Sequence, residues 1–189
     1  ATEDLAPDPR ELDGLIGPRT RALHLTHYLG FPQDARRWRR WCDGRGLLLV
    51  EDAAQAWLAA ADDRPVGSFG DLAVFCLYKT FGLPDGAALL VRGPIEATAR
   101  GAIGARGLLA GHLRWGLERL PGLRRLRPAS TGYRATADLD LGTVRGPSAA
   151  TRALLPLVAD PRAAKIRRRH YRTLLRDLGD LVPSPFDRL

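Results

Sequence analysis

The sequence predicts an α/β fold, a mainly parallel sheet with one antiparallel strand, flanked by helices. Three observations predict it. Between Arg21 and Val50 a strand-like, a helix-like and a second strand-like segment follow one another, the order of a βαβ unit. Leu47-Leu48-Leu49-Val50 is a continuous apolar run rather than an alternating one, as expected of a parallel strand covered on both faces. The strand-like segments Leu72 to Tyr78 and Ala87 to Val91 are joined by a connection too short for a crossover, so as neighbours they pair antiparallel.

Taken in order, the chain opens with Pro7, Pro9 and Pro18 around a helical phrase, Arg10 to Ile16, in which Leu12, Leu15 and Ile16 share a face. Arg21 to Gly30 reads as a strand with Thr26, His27 and Tyr28 at its carboxyl end. In Pro32 to Gly44, Trp38, Trp41 and Cys42 fall at i, i+3 and i+4 against four arginines. That is an amphipathic helix, closed by Gly44 or Gly46. After the run ending at Asp52 come a small-residue segment, Ala53 to Ala61, and a Gly-rich turn, Val66 to Asp71. Residues Ile95 to Arg127 space leucines helically and predict a helix pair outside the sheet; Pro128 to Pro147 predicts an extended linker. At the end, Asp160 caps a helix with Pro161 at its first position, and Ile166, Tyr171, Leu174, Leu175 and Leu178 form an apolar face against six arginines.

At 189 residues, 20.7 kDa and 45% hydrophobic, the composition is that of a folded chain with one sizeable core. No apolar run approaches the roughly 20 residues of a membrane span and no leader pattern follows Ala1, so a cytoplasmic protein is expected. Cys42 and Cys76 have neither the number nor the spacing of a disulfide framework or a metal site, and no metal is expected. The net charge of +8 raises nucleic-acid binding as a reading. The arginines, however, are spread over every helix-like segment, which suits solvated faces better than one phosphate-binding patch.

The chemistry concentrates where two apolar runs stop. One delivers Asp52 and the other Lys79, and ligands of open α/β sheets collect outside the carboxyl ends of such strands. A lysine there is ordinarily a solvated charge. Lys79, however, is one of two lysines in a chain that otherwise uses arginine, and lies between Tyr78 and Phe81. Arginine keeps its proton, whereas a lysine in apolar surroundings becomes a nucleophilic amine able to condense with a carbonyl. Asp52 also has two readings: a helix N-cap with Gln55 completing a capping box, or the anion that keeps a pyridinium nitrogen protonated. His27 either lines the same pocket or packs.

Val50-Glu51-Asp52-Ala53-Ala54-Gln55-Ala56, then Val66-Gly67-Ser68-Phe69-Gly70-Asp71, then a strand leading to Lys79 and Pro84-Asp85-Gly86, resemble the DegT/DnrJ/StrS-type aminotransferases. The entry phrase from Thr20 to Gly30 is similar to that family too. The resemblance covers residues 5 to 92 well and 145 to 180 loosely. It implies a pyridoxal 5'-phosphate enzyme of fold type I acting on a nucleotide-linked keto sugar with an amino donor, as a homodimer. It implies Lys79 as the catalytic lysine that bonds the cofactor and shuttles the proton, Asp52 at the ring nitrogen and Gln55 beside the ring hydroxyl. Cys76 stands where relatives carry a phosphate-binding serine, and Tyr78 and His27 are candidates to border the pocket.

The resemblance divides the chain into a core part of the cofactor-binding large domain (1–94), a helical excursion and linker (95–147) and C-terminal helices leading into a truncated small domain (148–189). No phosphate-receiving glycine loop at a helix N-terminus is recognisable before Arg21, so part of a longer enzyme is expected. The alternatives are a non-catalytic remnant of the same fold with a dimerising or regulatory role, and a basic nucleic-acid-binding module.

Overall fold

The computed structural model describes residues 5–93, 109, 146–160, 162–184 and 186–187. The expected helix pair of 95–127 and most of the expected linker lie outside the described residues.

Helix α1 (Pro9–Leu15) is closed by Asp8, whose carboxylate accepts the Arg10 N–H at 2.9 Å. Of the three residues expected to share its buried face, only Leu12 packs on the core, while Leu15 is 76% exposed. The helix stops at Leu15 and Ile16 is extended, so the face is not continued. Strand β1 (Ala22–Thr26) leads through a 3-10 turn (Tyr28–Gly30) to α2 (Ala35–Asp43). Asp34 caps α2 by accepting the Arg37 N–H at 2.8 Å, and Ala35, Trp38 and Cys42 are its buried stripe. Both expected glycines act at its end: Gly44 is the C-cap and Gly46, at φ +63°, takes the left-handed turn.

Strand β2 (Leu48–Asp52) alternates rather than being covered on both faces: Leu49 and Glu51 are fully buried, whereas Leu48 is 46% exposed. No helix follows Asp52. Ala53 N–H continues the sheet by donating to the Val74 carbonyl, and the chain passes through a turn into a two-strand hairpin, β3 (Ala60–Ala61) and β4 (Arg64–Pro65). Asp62 and Asp63 both have positive φ, the conformation that a two-residue hairpin loop demands. The expected strand over 72–78 is β5 (Leu72–Cys76), because α3 (Leu77–Phe81) begins at once and ends at Gly82, φ +65°. Strand β6 (Ala87–Val91) then returns.

The sheet order is β1-β2-β5-β6, with the first two pairings parallel and β5·β6 antiparallel, as the sequence predicts. One core lies under β1, β2 and α2 (Leu25, Trp38, Cys42, Leu49, Phe69) and a second under β5 (Ala53, Ala56, Val66, Ala73, Phe75). Helices α4 (Ala149–Val158) and α5 (Ala163–Leu178) follow. Asp160 accepts the Arg162 N–H at 2.8 Å, the work of a cap, although α5 starts at Ala163; Pro161 lies outside the described residues. The face expected to be apolar stays largely open, with Ile166, Leu174 and Leu178 each about half exposed. Among the described residues no helix is long and apolar enough to cross a membrane.

Candidate active site

Glu51 organises the ground beneath the site. Its carboxylate is fully buried and accepts hydrogen bonds from Gly67 N (2.9 Å), Phe69 N (2.8 Å), Gly70 N and His27 Nε2 (3.1 Å). Burial pushes its pKa up, but His27 and the three backbone N–H groups outweigh that and hold it below the usual carboxylate range. Asp71 does the same one turn later. It takes the Leu49 N–H at 2.7 Å and an ion pair from Arg39 at 2.5 Å, and these outweigh burial to hold its pKa low. The Gly-rich turn over 66–71 is thus a loop wrapped around one carboxylate and pinned by another. Gly70 cannot carry a side chain there, since a Cβ would lie 2.6 Å from the Leu72 carbonyl oxygen.

On this base, β2 and β5 are neighbouring parallel strands whose carboxyl ends deliver the two expected groups. Asp52 is the last residue of β2, in register with Thr26 and Val74, and about a quarter exposed. Its Oδ1 accepts the Ala54 N–H at 2.9 Å, and Oδ2 faces His24 Nε2 at 3.8 Å. The cap reading therefore gives way to a short Asx-type turn. Gln55 completes no capping box; its Oε1 accepts the Leu29 N–H at 3.1 Å. Lys79 lies within α3, three residues beyond β5, exposed and with no hydrogen bond or ion pair among the described residues.

His27 is fully buried: Nε2 meets Glu51, and Nδ1 accepts the Gln33 N–H at 3.0 Å, so it is a packed histidine. Tyr78 is half exposed, and its hydroxyl is held above its usual pKa by its bond to the Cys76 side chain and by partial burial. Cys76 is buried at the end of β5.

Sequence reasoning missed Glu51, His24 and Asp85. Glu51 had a signal: it shares parity with Leu49 in a strand, and a carboxylate on a buried face needs several donors. Asp85 and His24 had none, because their partners are 63 residues and 28 residues away in the chain. Asp85 accepts the Ser148 N–H at 3.1 Å and the Thr151 hydroxyl at 2.8 Å, tying α4 to the Pro-Asp-Gly turn that follows α3.

The residues present fit the ring end of pyridoxal phosphate. Asp52 Oδ2 is an available acceptor for a ring N–H, and Lys79, in the helix that follows the adjacent strand, offers an amine with no partner among the described residues. Cys76 fits the phosphate less well, since its side chain is buried and a thiol is a weak donor.

Residues 1–113, more than half of the chain, match the DegT/DnrJ/EryC1/StrS aminotransferase family. The chain is 40% identical over 90 residues to the dTDP-3-amino-3,4,6-trideoxy-alpha-D-glucose transaminase of Streptomyces venezuelae, covering 46% of this chain and 24% of that protein. It is 29% identical over 115 residues to the GDP-perosamine synthase of Vibrio cholerae, covering 60% and 31%. Among solved structures, the aminotransferase TlmJ of Streptoalloteichus hindustanus is 35% identical with a TM-score of 0.45, covering 48% and 25%. The chain spans about a quarter of the length of such sugar transaminases. With its motif residues at the carboxyl ends of β2 and β5, the chain belongs to the DegT/DnrJ/EryC1/StrS aminotransferase family.

Proposed function

We propose that this chain carries the ring-binding half of a pyridoxal-phosphate aminotransferase that moves an amino group onto a nucleotide-linked keto sugar, in polysaccharide or secondary-metabolite biosynthesis. The observation that carries the reading is the placement of Asp52 at the carboxyl end of β2 and of Lys79 in α3, the helix that starts at the carboxyl end of the adjacent parallel strand β5. When bound, the cofactor supplies an electron-accepting ring at the carbon that loses a proton. Asp52 accepts the ring N–H and keeps that nitrogen charged. Gln55 spends its carbonyl on Leu29, which leaves its amide NH₂ to donate to the ring oxygen. Lys79 would be the residue that holds the cofactor through its aldehyde carbon, and its amine, when free, would be the group that carries the proton. Family membership further supports a homodimer in the cytoplasm.

Borohydride reduction of the full chain with pyridoxal phosphate, followed by peptide mass mapping, tests the reading. Lys165, exposed on α5, is an internal control. Labelling at Lys79 well above Lys165, lost in Lys79→Ala, is expected. Equal labelling of the two lysines, or none at Lys79, sinks the proposal.

A further inference from the structure

We propose that the cleft between α5 and the turn after β2 is an anion site that takes a phosphate-bearing ligand. Its volume is about 540 Å³, within the range of small-molecule sites. Gln55, Trp57, Arg167, Arg168, Tyr171 and Arg172 supply the side chains that define it, and none of the residues lining it is Asp or Glu.

The charge within the cleft is unbalanced. Arg36, Arg39, Arg45 and Arg162 each meet a carboxylate. Arg168 and Arg172 have no hydrogen bond or ion pair among the described residues. Two guanidinium groups one helical turn apart repel each other until an anion sits between them, and their planar forks match paired phosphate oxygens. Arg167 lines the same cleft but is committed elsewhere: its Nη2 donates to the Thr80 carbonyl, next to Lys79. Trp57 forms an aromatic wall, packed against Phe81 of the same α3 at 5.3 Å. The cleft is therefore fastened to the turn that carries Lys79, and it shares Gln55 with the ring site.

The phosphate could arrive on the cofactor or on a nucleotide-linked substrate. Assigning it to either rests on the proposed function; the anion site itself does not. Calorimetric titration of the full chain with inorganic pyrophosphate at low ionic strength is the test. The double variant Arg168→Gln/Arg172→Gln should weaken binding roughly tenfold or more. The variant Arg169→Gln/Arg176→Gln, which removes the same charge from α5 outside the cleft, should bind as the parent does. Absence of pyrophosphate binding, or equal weakening in the two variants, overturns the site. Displacement of pyrophosphate by uridine diphosphate assigns the cleft to the substrate, displacement by pyridoxal phosphate assigns it to the cofactor, and displacement by neither overturns it. Failure of Lys79 labelling with pyrophosphate binding intact would remove the aminotransferase reading and leave the anion site standing.

Discussion

Glu51 is an acid on the buried side of a strand, and four donors make that position tenable. Replacing it by Gln turns one oxygen into an NH₂ group that must face backbone N–H groups, leaving buried donors without acceptors. We expect Glu51→Gln to cost about 3 kcal/mol or more, read as a fall in the urea midpoint. The pH dependence follows from the direction of the shift. The folded pKa lies below the ordinary value of 4.5, so the stabilisation is complete above about 4.5 and is lost as pH falls toward the folded value. Glu51→Gln should flatten the stability profile below that point. A residual acid slope remains from Asp71 and Asp85, whose pKa values are also lowered despite the burial that opposes this. Gly70→Ala tests the same loop sterically: the new methyl would meet the Leu72 carbonyl oxygen at 2.6 Å, so backbone must move. A loss of about 2 kcal/mol or more is expected, and an unchanged midpoint would mean the loop yields freely.

At the scale of elements, the parallel pairing, the antiparallel return and α2 were legible because each leaves a local signal: an apolar run, a short connection, a Trp38–Cys42 stripe. What was not legible is what tertiary partners decide. Asp52 followed by Gln55 is good capping grammar, yet Ala53 N–H goes to Val74 and Gln55 goes to Leu29, so no helix forms. The early end of β5 was hidden for the same reason, since Leu77 N–H finds its acceptor at Gly86 across the turn. The Asp85 latch is the clearest long-range case. It accepts from Ser148 and Thr151 at the start of α4, while Gly86 has room for no Cβ against Leu77 and Pro147. Asp85→Ala removes both acceptor interactions and should cost about 1–2 kcal/mol. Hydrogen exchange locates the loss: amides near the start of α4 should exchange faster while those of β1 and β2 do not.

At the scale of the whole molecule, the four-stranded sheet has two unlike faces. One carries the cores; the other presents Leu48, Val74 and Leu89, which are 46%, 36% and 51% exposed. The register puts Val74 directly opposite Leu89, so they form a cross-strand pair, and Asp52, opposite Val74 on β2, shares that face. A parallel sheet is ordinarily covered on both sides, and an open apolar strip of this kind binds hydrophobic probes in an otherwise folded protein. The full chain should therefore enhance the fluorescence of an anilinonaphthalene sulfonate dye under native conditions, without the loss of near-ultraviolet circular dichroism that marks a molten state. Val74→Thr keeps a β-branched shape and Leu89→Thr introduces one, residues that suit a strand, while apolar surface is removed, so the pair should lower dye binding severalfold and leave the urea midpoint nearly unchanged. Because pyrophosphate competes for a cleft built on α5 rather than for this face, it should leave the dye signal intact. Dye binding that survives the double substitution would place the probe elsewhere and contradict an open face beside Asp52.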